Sequence, residues 1–311
     1  MTAAKVVRAM SLAATRPMEL FDRLQAKAQV ATDRLLHHEM RGPGMDLGQA
    51  LARIDSCLAA GTALRLGEQS LLEIEMEVEE GIRNLRKHAA FPLGYNGDLG
   101  LAQFCYVVCR ALRPEVVVET GVGYGVTSSF ILKALAVNGR GILHSVDLPP
   151  IGEGAEELVG SLIQKSLASR WRFHRGASKR VLPGLLRQLD RVDLFLHDSL
   201  HTYANMLLEL TTVEPHLSRP SVVVADDIGD HPAFARWAAQ AAPDLWLAVK
   251  PSQKEGLFGV CVFAQRPRGL ASHPRHPRHA RRRHQLPRRH APGGRVGTSR
   301  RVAVCLRGHR Q

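Results

Sequence analysis

The sequence has 311 residues, 45% of them hydrophobic, and contains no apolar run of the roughly 18 residues that a membrane helix needs, so we expect a cytoplasmic protein without membrane contact. Its net charge is +13, but residues 266–311 contain 14 arginines and no acidic residue. Subtracting these 14 charges leaves −1 for residues 1–265, which gives no support to a nucleic-acid-binding surface on the main body.

The first 95 residues have the pattern of a helical region. Apolar residues recur at three- and four-residue steps in three segments, residues 18–40, 46–60 and 67–88. The third segment is rich in glutamate, which is typical of a helix face in contact with solvent. We expect this N-terminal region, residues 1–95, to cover a binding pocket as a lid or to mediate homodimer formation.

From residue 96 the pattern changes to strands that alternate with helices. Alternation of this kind is typical of an α/β domain whose mostly parallel sheet carries helices on both faces. The last two predicted strands are joined by a link too short for a helix, so they should pair antiparallel. We therefore predict a Rossmann-like, seven-stranded sheet over residues 96–265 with an antiparallel last strand. The predicted helices are 99–112, 126–137, 155–169, 178–189 and 203–217, and the predicted strands are 115–120, 141–148, 171–176, 192–198, 221–228, 245–250 and 257–265.

The third predicted region is a tail rich in Arg, His and Pro, residues 266–311. It offers almost no apolar surface to bury, so its ordering entropy would not be offset and we predict disorder. Two interpretations of the tail stay open, a basic arm for RNA or phosphate and an extension without function.

A glycine-rich turn follows the first strand of the α/β domain. The segment VVVETGVGYGVTSSF places Glu119 at the end of the strand and then spaces Gly121, Gly123 and Gly125 two residues apart. Glycine permits positive φ and a close approach of the backbone to a ligand, and such a strand–turn–helix is the usual crevice for a nucleotide-like cofactor. The dinucleotide fingerprint G-x-G-x-x-G fails because Val126 occupies the position of its third glycine.

Two carboxylates beside this turn favour S-adenosylmethionine as the cofactor. Glu119 would repel a pyrophosphate but suits an ammonium group, and S-adenosylmethionine carries an ammonium and a sulfonium and no phosphate. Asp147 ends the second strand, 22 residues after Gly125, where an acid accepts hydrogen bonds from both ribose hydroxyls. NAD requires the same acid, so the E-x-G-x-G-x-G spacing, rather than Asp147, carries the distinction.

In these motifs residues 95–265 resemble the class I S-adenosylmethionine-dependent methyltransferases. The segment RGASKRVLPGL is similar to the stretch after the third strand in catechol-type O-methyltransferases, where a G-A-S segment lies beside the adenine. The resemblance also implies a seven-stranded sheet whose last strand is antiparallel. The cofactor residues that it implies are Glu119, Gly121 and Thr127 for the methionine end, Asp147 for the ribose, and Gly176, Ala177 and Ser178 beside the adenine.

Acidic residues follow the fourth and fifth predicted strands. Asp198 ends one of them, and Asp226 and Asp227 end the other. Carboxyl ends of adjacent parallel strands share one crevice, so these three side chains should converge near the methyl donor. Close carboxylates repel one another unless a cation or protons intervene, and oxygen ligands favour Mg²⁺, Mn²⁺ or Ca²⁺. A metal would lower the pKa of an acceptor hydroxyl, and His201, with an ordinary pKa of about 6.5, is placed to take the proton.

The acidic cluster extends the resemblance. Catechol- and caffeoyl-CoA-type enzymes hold a metal with an Asp after the fourth strand and an Asp-Asn pair after the fifth, and macrocin-type sugar O-methyltransferases use an Asp-Asp pair there, as in this chain. The segment HDSLHTY is similar to the D-x-x-H-x-Y pattern of that group. Counted back from Tyr203, however, the catechol-type ligand falls on His197 rather than Asp198, and the lysine near the acceptor falls on Leu200. The resemblance implies O-methylation of a small-molecule or sugar hydroxyl with divalent metal assistance.

Other interpretations of the same residues stay open. An NAD(P)-dependent oxidoreductase is opposed by the missing third glycine, and a nucleic-acid methyltransferase that uses the basic tail is opposed by the near-neutral body. A binding protein that keeps the fold without the chemistry is a third alternative. The purely structural alternatives are helix capping by Asp226, Asp227 or Ser178, a strand-end role for His197, a first-turn helix role for His201, and a glycine turn shaped only for packing.

Overall fold

A seven-stranded sheet forms the centre of the fold. The structure is a computed structural model that describes residues 11–36, 44–58, 66–95, 98–251 and 256–265, so the tail predicted over 266–311 lies outside the described residues. The strands are β1 (Val116–Thr120), β2 (Ile142–Asp147), β3 (Trp171–Arg175), β4 (Val192–His197), β5 (Leu217–Ala225), β6 (Leu245–Val249) and β7 (Phe258–Phe263). Their order is β3-β2-β1-β4-β5-β7-β6, with β1 to β5 parallel and β7 antiparallel to both of its neighbours. The predicted Rossmann-like sheet is confirmed.

Helices cover both faces of the sheet. The N-terminal region supplies α1 (Pro17–Leu36), α2 (Leu47–Leu58) and α3 (Gln69–Leu85), and the α/β domain adds α4 (Leu99–Leu112), α5 (Val126–Asn138), α6 (Ser178–Leu189), α7 (Tyr203–Val213) and α8 (Ala233–Ala241). None of these described helices is long and apolar enough to span a bilayer.

Period-two alternation along the strands divides the core into two layers. Val117 packs in the layer under α2 to α5, whereas its neighbour Val118 packs in the layer under α6, α7 and α8. Leu194 and Phe195 on β4 alternate in the same way. Successive side chains of a strand point to opposite faces, so a nearly continuous apolar strand fills both layers at once.

Two elements differ most from the prediction. The helix predicted over residues 155–169 is wrong: turns occupy residues 153–162, and a 3₁₀ helix follows at Lys165–Arg170. Gly160 N donates to Gly123 O at 3.1 Å and Leu162 N to Tyr124 O at 2.9 Å, so contacts with the glycine turn replace helical hydrogen bonds. Helix α8 was not predicted; it is alanine-rich, and its Phe234 and Trp237 are buried in the core.

Candidate active site

The glycine turn lies where the strand order reverses, between β1 and β4. All three glycines adopt positive φ, 86° at Gly121, 55° at Gly123 and 93° at Gly125. A Cβ on Gly121 would overlap the carbonyl oxygen of Asp198, and a Cβ on Gly125 would lie 3.0 Å from Gly160 Cα. Packing within the chain therefore already requires two of these glycines, and Gly121 puts the turn in contact with the backbone that carries Asp198.

Asp147 closes one side of the turn. Its Oδ2 accepts hydrogen bonds from the backbone N–H of Val122 at 3.2 Å and of Gly123 at 3.3 Å. Burial raises the pKa of the Asp147 carboxyl, and the backbone N–H groups of Val122, Gly123 and Leu148 offset this only in part. The predicted acid at the end of β2 thus lies against the glycine turn.

Glu119 lies inside the domain. Its side chain is 1% exposed, and its Oε2 accepts hydrogen bonds from Ser128 at 2.8 Å and Ser145 at 2.7 Å. Burial raises its pKa to about 8, although the two serine hydroxyls act in the opposite direction. This carboxyl was predicted to lie against the ammonium of the cofactor, whereas the structure places it between α5 and β2, where it supports the turn from within.

Two hydroxyl side chains predicted for cofactor binding stand at helix N-termini. Thr127 lies in the first turn of α5, and its buried Oγ1 has no hydrogen-bond partner among the described residues. Ser178 is the first residue of α6 and donates to Asn205 Oδ1 at 3.4 Å. The capping alternative for Ser178 is wrong because Ala177 occupies the N-cap position.

The acidic residues converge with a histidine. Asp198, His201 and Asp226 each offer a ligand atom, and these atoms lie within 4.8 Å of one another. Asp227 belongs to a different contact, with its Oδ2 2.8 Å from His201 Nδ1. Neither Asp226 nor Asp227 caps the next helix, because α8 begins at Ala233. The structure thus joins the predicted acids with His201, and Asp227 reaches the group through the imidazole.

His201 is held between two carboxylates. Its Nε2 lies 3.4 Å from Asp198 Oδ1, and its Nδ1 is bound by Asp227. Burial alone would lower its pKa, but hydrogen bonding to Asp198 and Asp227 and their charges outweigh burial and raise the pKa to about 10. The prediction of a general base used the ordinary pKa, which does not apply in these surroundings.

One buried carboxylate beside this group was not predicted from the sequence. Glu209 on α7 is fully buried, and its Oε2 lies 2.6 Å from Nδ1 of His197, the position to which the catechol-type ligand was aligned. One signal was available. Glu209 stands on the same helix face as the buried Met206 and Val213, where an acid is unexpected unless it is paired.

Helix α1 crosses the carboxyl edge of the sheet. Its Asp22 is buried against Lys179 Nζ at 2.7 Å and Arg180 Nε at 2.6 Å, and Arg23 Nη2 donates to Pro149 O at 2.6 Å. Asp33 accepts a hydrogen bond from the backbone N–H of Tyr203. An open groove of about 340 Å³ lies along α1 beside Leu200, the residue before His201. Its lining residues are Ala26, Lys27, Val30, Ala31, Arg34 and Leu200.

The central part of the α/β domain matches a known protein family. Residues 118–228, from the middle of β1 to just past β5, match a family model described as a methyltransferase domain. Comparison with curated protein sequences gives no match.

Solved structures with a similar fold include three methyltransferases. An O-methyltransferase from Bacillus cereus in complex with SAH is 13% identical and covers 69% of this chain and 99% of its own, with a TM-score of 0.46. TomG from Streptomyces achromogenes, an O-methyltransferase involved in tomaymycin synthesis and in complex with SAM, is 14% identical over 70% of this chain and 97% of its own, with a TM-score of 0.45. SAH-bound PaMTH1 from Podospora anserina is 12% identical and covers 60% of this chain and 87% of its own, with a TM-score of 0.47.

The fold and site define an α/β domain with a nucleotide-type crevice at the point where the strand order reverses. The family match identifies residues 118–228 of this domain as a methyltransferase domain. The prediction of a methyltransferase domain is confirmed over these residues.

Proposed function

We propose that the protein transfers the methyl group of S-adenosylmethionine to a hydroxyl of a small molecule or a sugar. The observation that carries this proposal is the contact between Gly121 and the Asp198 backbone. It puts the glycine turn with Asp147 and the group of Asp198, His201 and Asp226 side by side at one edge of the sheet. Methyl donor and acceptor must lie this close for an in-line displacement at the methyl carbon.

The residues at the turn fit the proposed methyl donor. The unpartnered Thr127 Oγ1 and the N-terminus of α5 suit the methionine carboxylate, since a helix N-terminus favours an anion. Asp147 would accept hydrogen bonds from the ribose hydroxyls, and Ser178 would lie beside the adenine. We assign Glu119 the role of positioning the turn through Ser128 and Ser145 rather than of contacting the ammonium.

The acidic group fits a divalent cation. We propose Asp198, Asp226 and His201 as its ligands, because their ligand atoms already lie within 4.8 Å of one another. The imidazole would have to release its proton for this, so a cation would take the place of the proton that Asp198 and Asp227 otherwise stabilise. Asp227 would then orient the imidazole through Nδ1, as carboxylates commonly do for metal-binding histidines. This revises the predicted assignment, in which Asp227 was a ligand and His201 the base. A bound cation supplies a lowered pKa and a fixed position for the acceptor hydroxyl.

The contacts of helix α1 support the role of a lid for the N-terminal region. Helix α1 is fastened across the carboxyl edge through Asp22, Arg23 and Asp33. The groove along α1 that ends at Leu200 is a candidate place for an acceptor. We propose that residues 1–95 cover a methyltransferase domain formed by residues 96–265. Homodimer formation stays a prediction.

Calorimetry with S-adenosylhomocysteine and with NAD tests the proposed function. We expect S-adenosylhomocysteine to bind and NAD not to bind. Asp147→Asn should weaken S-adenosylhomocysteine binding by about 10- to 100-fold, since a hydrogen bond to a charged group contributes about 1.5–3 kcal/mol. The matched control is Asp190→Asn, an exposed position after α6 that should leave the affinity unchanged. Binding of NAD in place of S-adenosylhomocysteine would reverse the assignment.

A second experiment tests the metal. Chelation should lower methyl transfer to an identified acceptor, and added Mg²⁺ or Mn²⁺ should restore it. Asp226→Asn should weaken Mn²⁺ binding while the affinity for S-adenosylhomocysteine stays within about two-fold, because Asp226 belongs to the acidic group and not to the glycine turn. Methyl transfer that is untouched by a chelator would end the metal proposal and leave the cofactor assignment intact.

A further inference from the structure

Glu209 is a fully buried carboxylate that accepts hydrogen bonds from four side chains. Its Oε2 lies 2.5 Å from Thr120 Oγ1 and 2.6 Å from His197 Nδ1. Its Oε1 lies 2.8 Å from Ser199 Oγ and 2.9 Å from Asn205 Nδ2. Both carboxylate oxygens are therefore occupied by donors of this chain, and the side chain has no exposed surface from which it could touch a reactant.

These four donors come from four different pieces of the site. Thr120 ends β1 directly before Gly121, and His197 ends β4 directly before Asp198. Ser199 lies in the loop between β4 and α7, which also carries His201, and Asn205 lies in the first turn of α7. Glu209 thus connects the strand that leads into the glycine turn with both ends of the loop that carries Asp198 and His201.

Further hydrogen bonds stabilise the loop between β4 and α7. Asn205 Nδ2 also donates to Leu200 O and to Ser199 Oγ, both at 3.1 Å. The backbone N–H of Asp198 donates to Thr120 O at 2.8 Å. Burial acts to raise the pKa of Glu209, but the charge of His197 and the donated hydrogen bonds outweigh it and lower the pKa to about 2. Glu209 is therefore ionised throughout the pH range in which the protein would work.

We infer that Glu209 is a positioning residue, which fixes the β4–α7 loop so that Asp198 and His201 meet Asp226 next to the glycine turn. This inference rests on the proposed function, in which Asp198 and His201 bind a divalent cation. It differs from a general contribution to stability because it is confined to one loop. Removing the charge of Glu209 should therefore disturb the acidic group far more than the cofactor crevice.

The test compares Glu209→Gln with Glu214→Gln. Glu214 follows α7 directly, and it accepts a hydrogen bond from Trp237 Nε1 at 3.2 Å, away from the loop. In Glu209→Gln the amide nitrogen replaces one acceptor and faces donors, so we expect Mn²⁺ affinity and kcat to fall by about 10- to 100-fold, the range typical when the support of a metal ligand is lost. The affinity for S-adenosylhomocysteine should stay within about two-fold, and Glu214→Gln should change neither quantity.

Hydrogen exchange gives a readout that does not depend on activity. Amides 198–202 should exchange faster in Glu209→Gln than in the unaltered protein, while those of β1 and β2 keep their protection. If Glu209→Gln does not fold, Ser199→Ala, which removes one of the four donors, should show the same pattern to a smaller extent. Unchanged exchange in this loop, or loss of S-adenosylhomocysteine affinity in step with kcat, would overturn the inference. Failure of the unaltered protein to bind S-adenosylhomocysteine would instead reject the proposed function, with the exchange experiment still decisive for Glu209.

Discussion

Gly121→Ala is expected to abolish methyl transfer and to lower the free energy of unfolding by about 3 kcal/mol or more. Two causes add here. A residue with a Cβ is strained at a φ of 86° by about 1–2 kcal/mol. The new Cβ would also overlap the carbonyl oxygen of Asp198, which is a backbone atom and cannot move aside as a flexible side chain could. The β4–α7 loop must then shift, and Asp198 and His201 shift with it. Chemical denaturation and a methyl-transfer assay measure the two effects.

Gly139→Ala provides the matched control for this substitution. Gly139 has a φ of 72° at the C-terminus of α5, but a Cβ there would meet no atom within 4 Å. Gly139→Ala introduces the backbone strain without the overlap. We therefore expect the free energy of unfolding to fall by about 1 kcal/mol and methyl transfer to be unchanged. Equal losses of stability in the two variants, with activity retained in Gly121→Ala, would show that the loop does not rest on Gly121.

Glu119→Gln is expected to gain stability relative to the unaltered protein as the pH rises from about 5 to about 8. The pKa of Glu119 is raised to about 8 in the folded protein, whereas an unfolded chain releases the same proton at about 4.5. Between these values the folded state holds more protons, so the unaltered protein loses up to about 1.4 kcal/mol of stability for each pH unit. Below about 4.5 the contribution is fully present, because both states are protonated. Glutamine resembles the neutral acid and escapes this loss.

Urea unfolding at several pH values measures the effect, with Glu153→Gln as the control at an exposed position. The control should show no change with pH relative to the unaltered protein. A pH-independent difference for Glu119→Gln would mean that the carboxyl is ionised in the fold. Calorimetry on the same variant separates the two roles of Glu119. A positioning role keeps S-adenosylhomocysteine affinity within a few fold, whereas an ion pair with the ammonium would lose at least about ten-fold on substitution.

Local patterns were sufficient for most of the architecture. Buried strands followed by helical periodicity predicted the seven-stranded sheet, and the short link between β6 and β7 predicted their antiparallel pairing. The prediction failed at residues 155–169, where an apolar helical pattern is overridden by hydrogen bonds from Gly160 and Leu162 to the glycine turn. It also missed α8, whose alanines gave too weak an apolar periodicity beside Phe234 and Trp237.

For the site, too, the sequence predicted some features and not others. The sequence by itself determined which residues gather at the carboxyl edge of the sheet, because strand order and alternation place Asp147, Asp198 and Asp226 there whatever their side chains contact. Only the tertiary structure decided what each of them does. Glu119 turned inward to Ser128 and Ser145, and His201 came to lie between Asp198 and Asp227. Partners of a buried charge come from elements distant in sequence, and burial and partner together set its pKa, so no local pattern of residues contains either one.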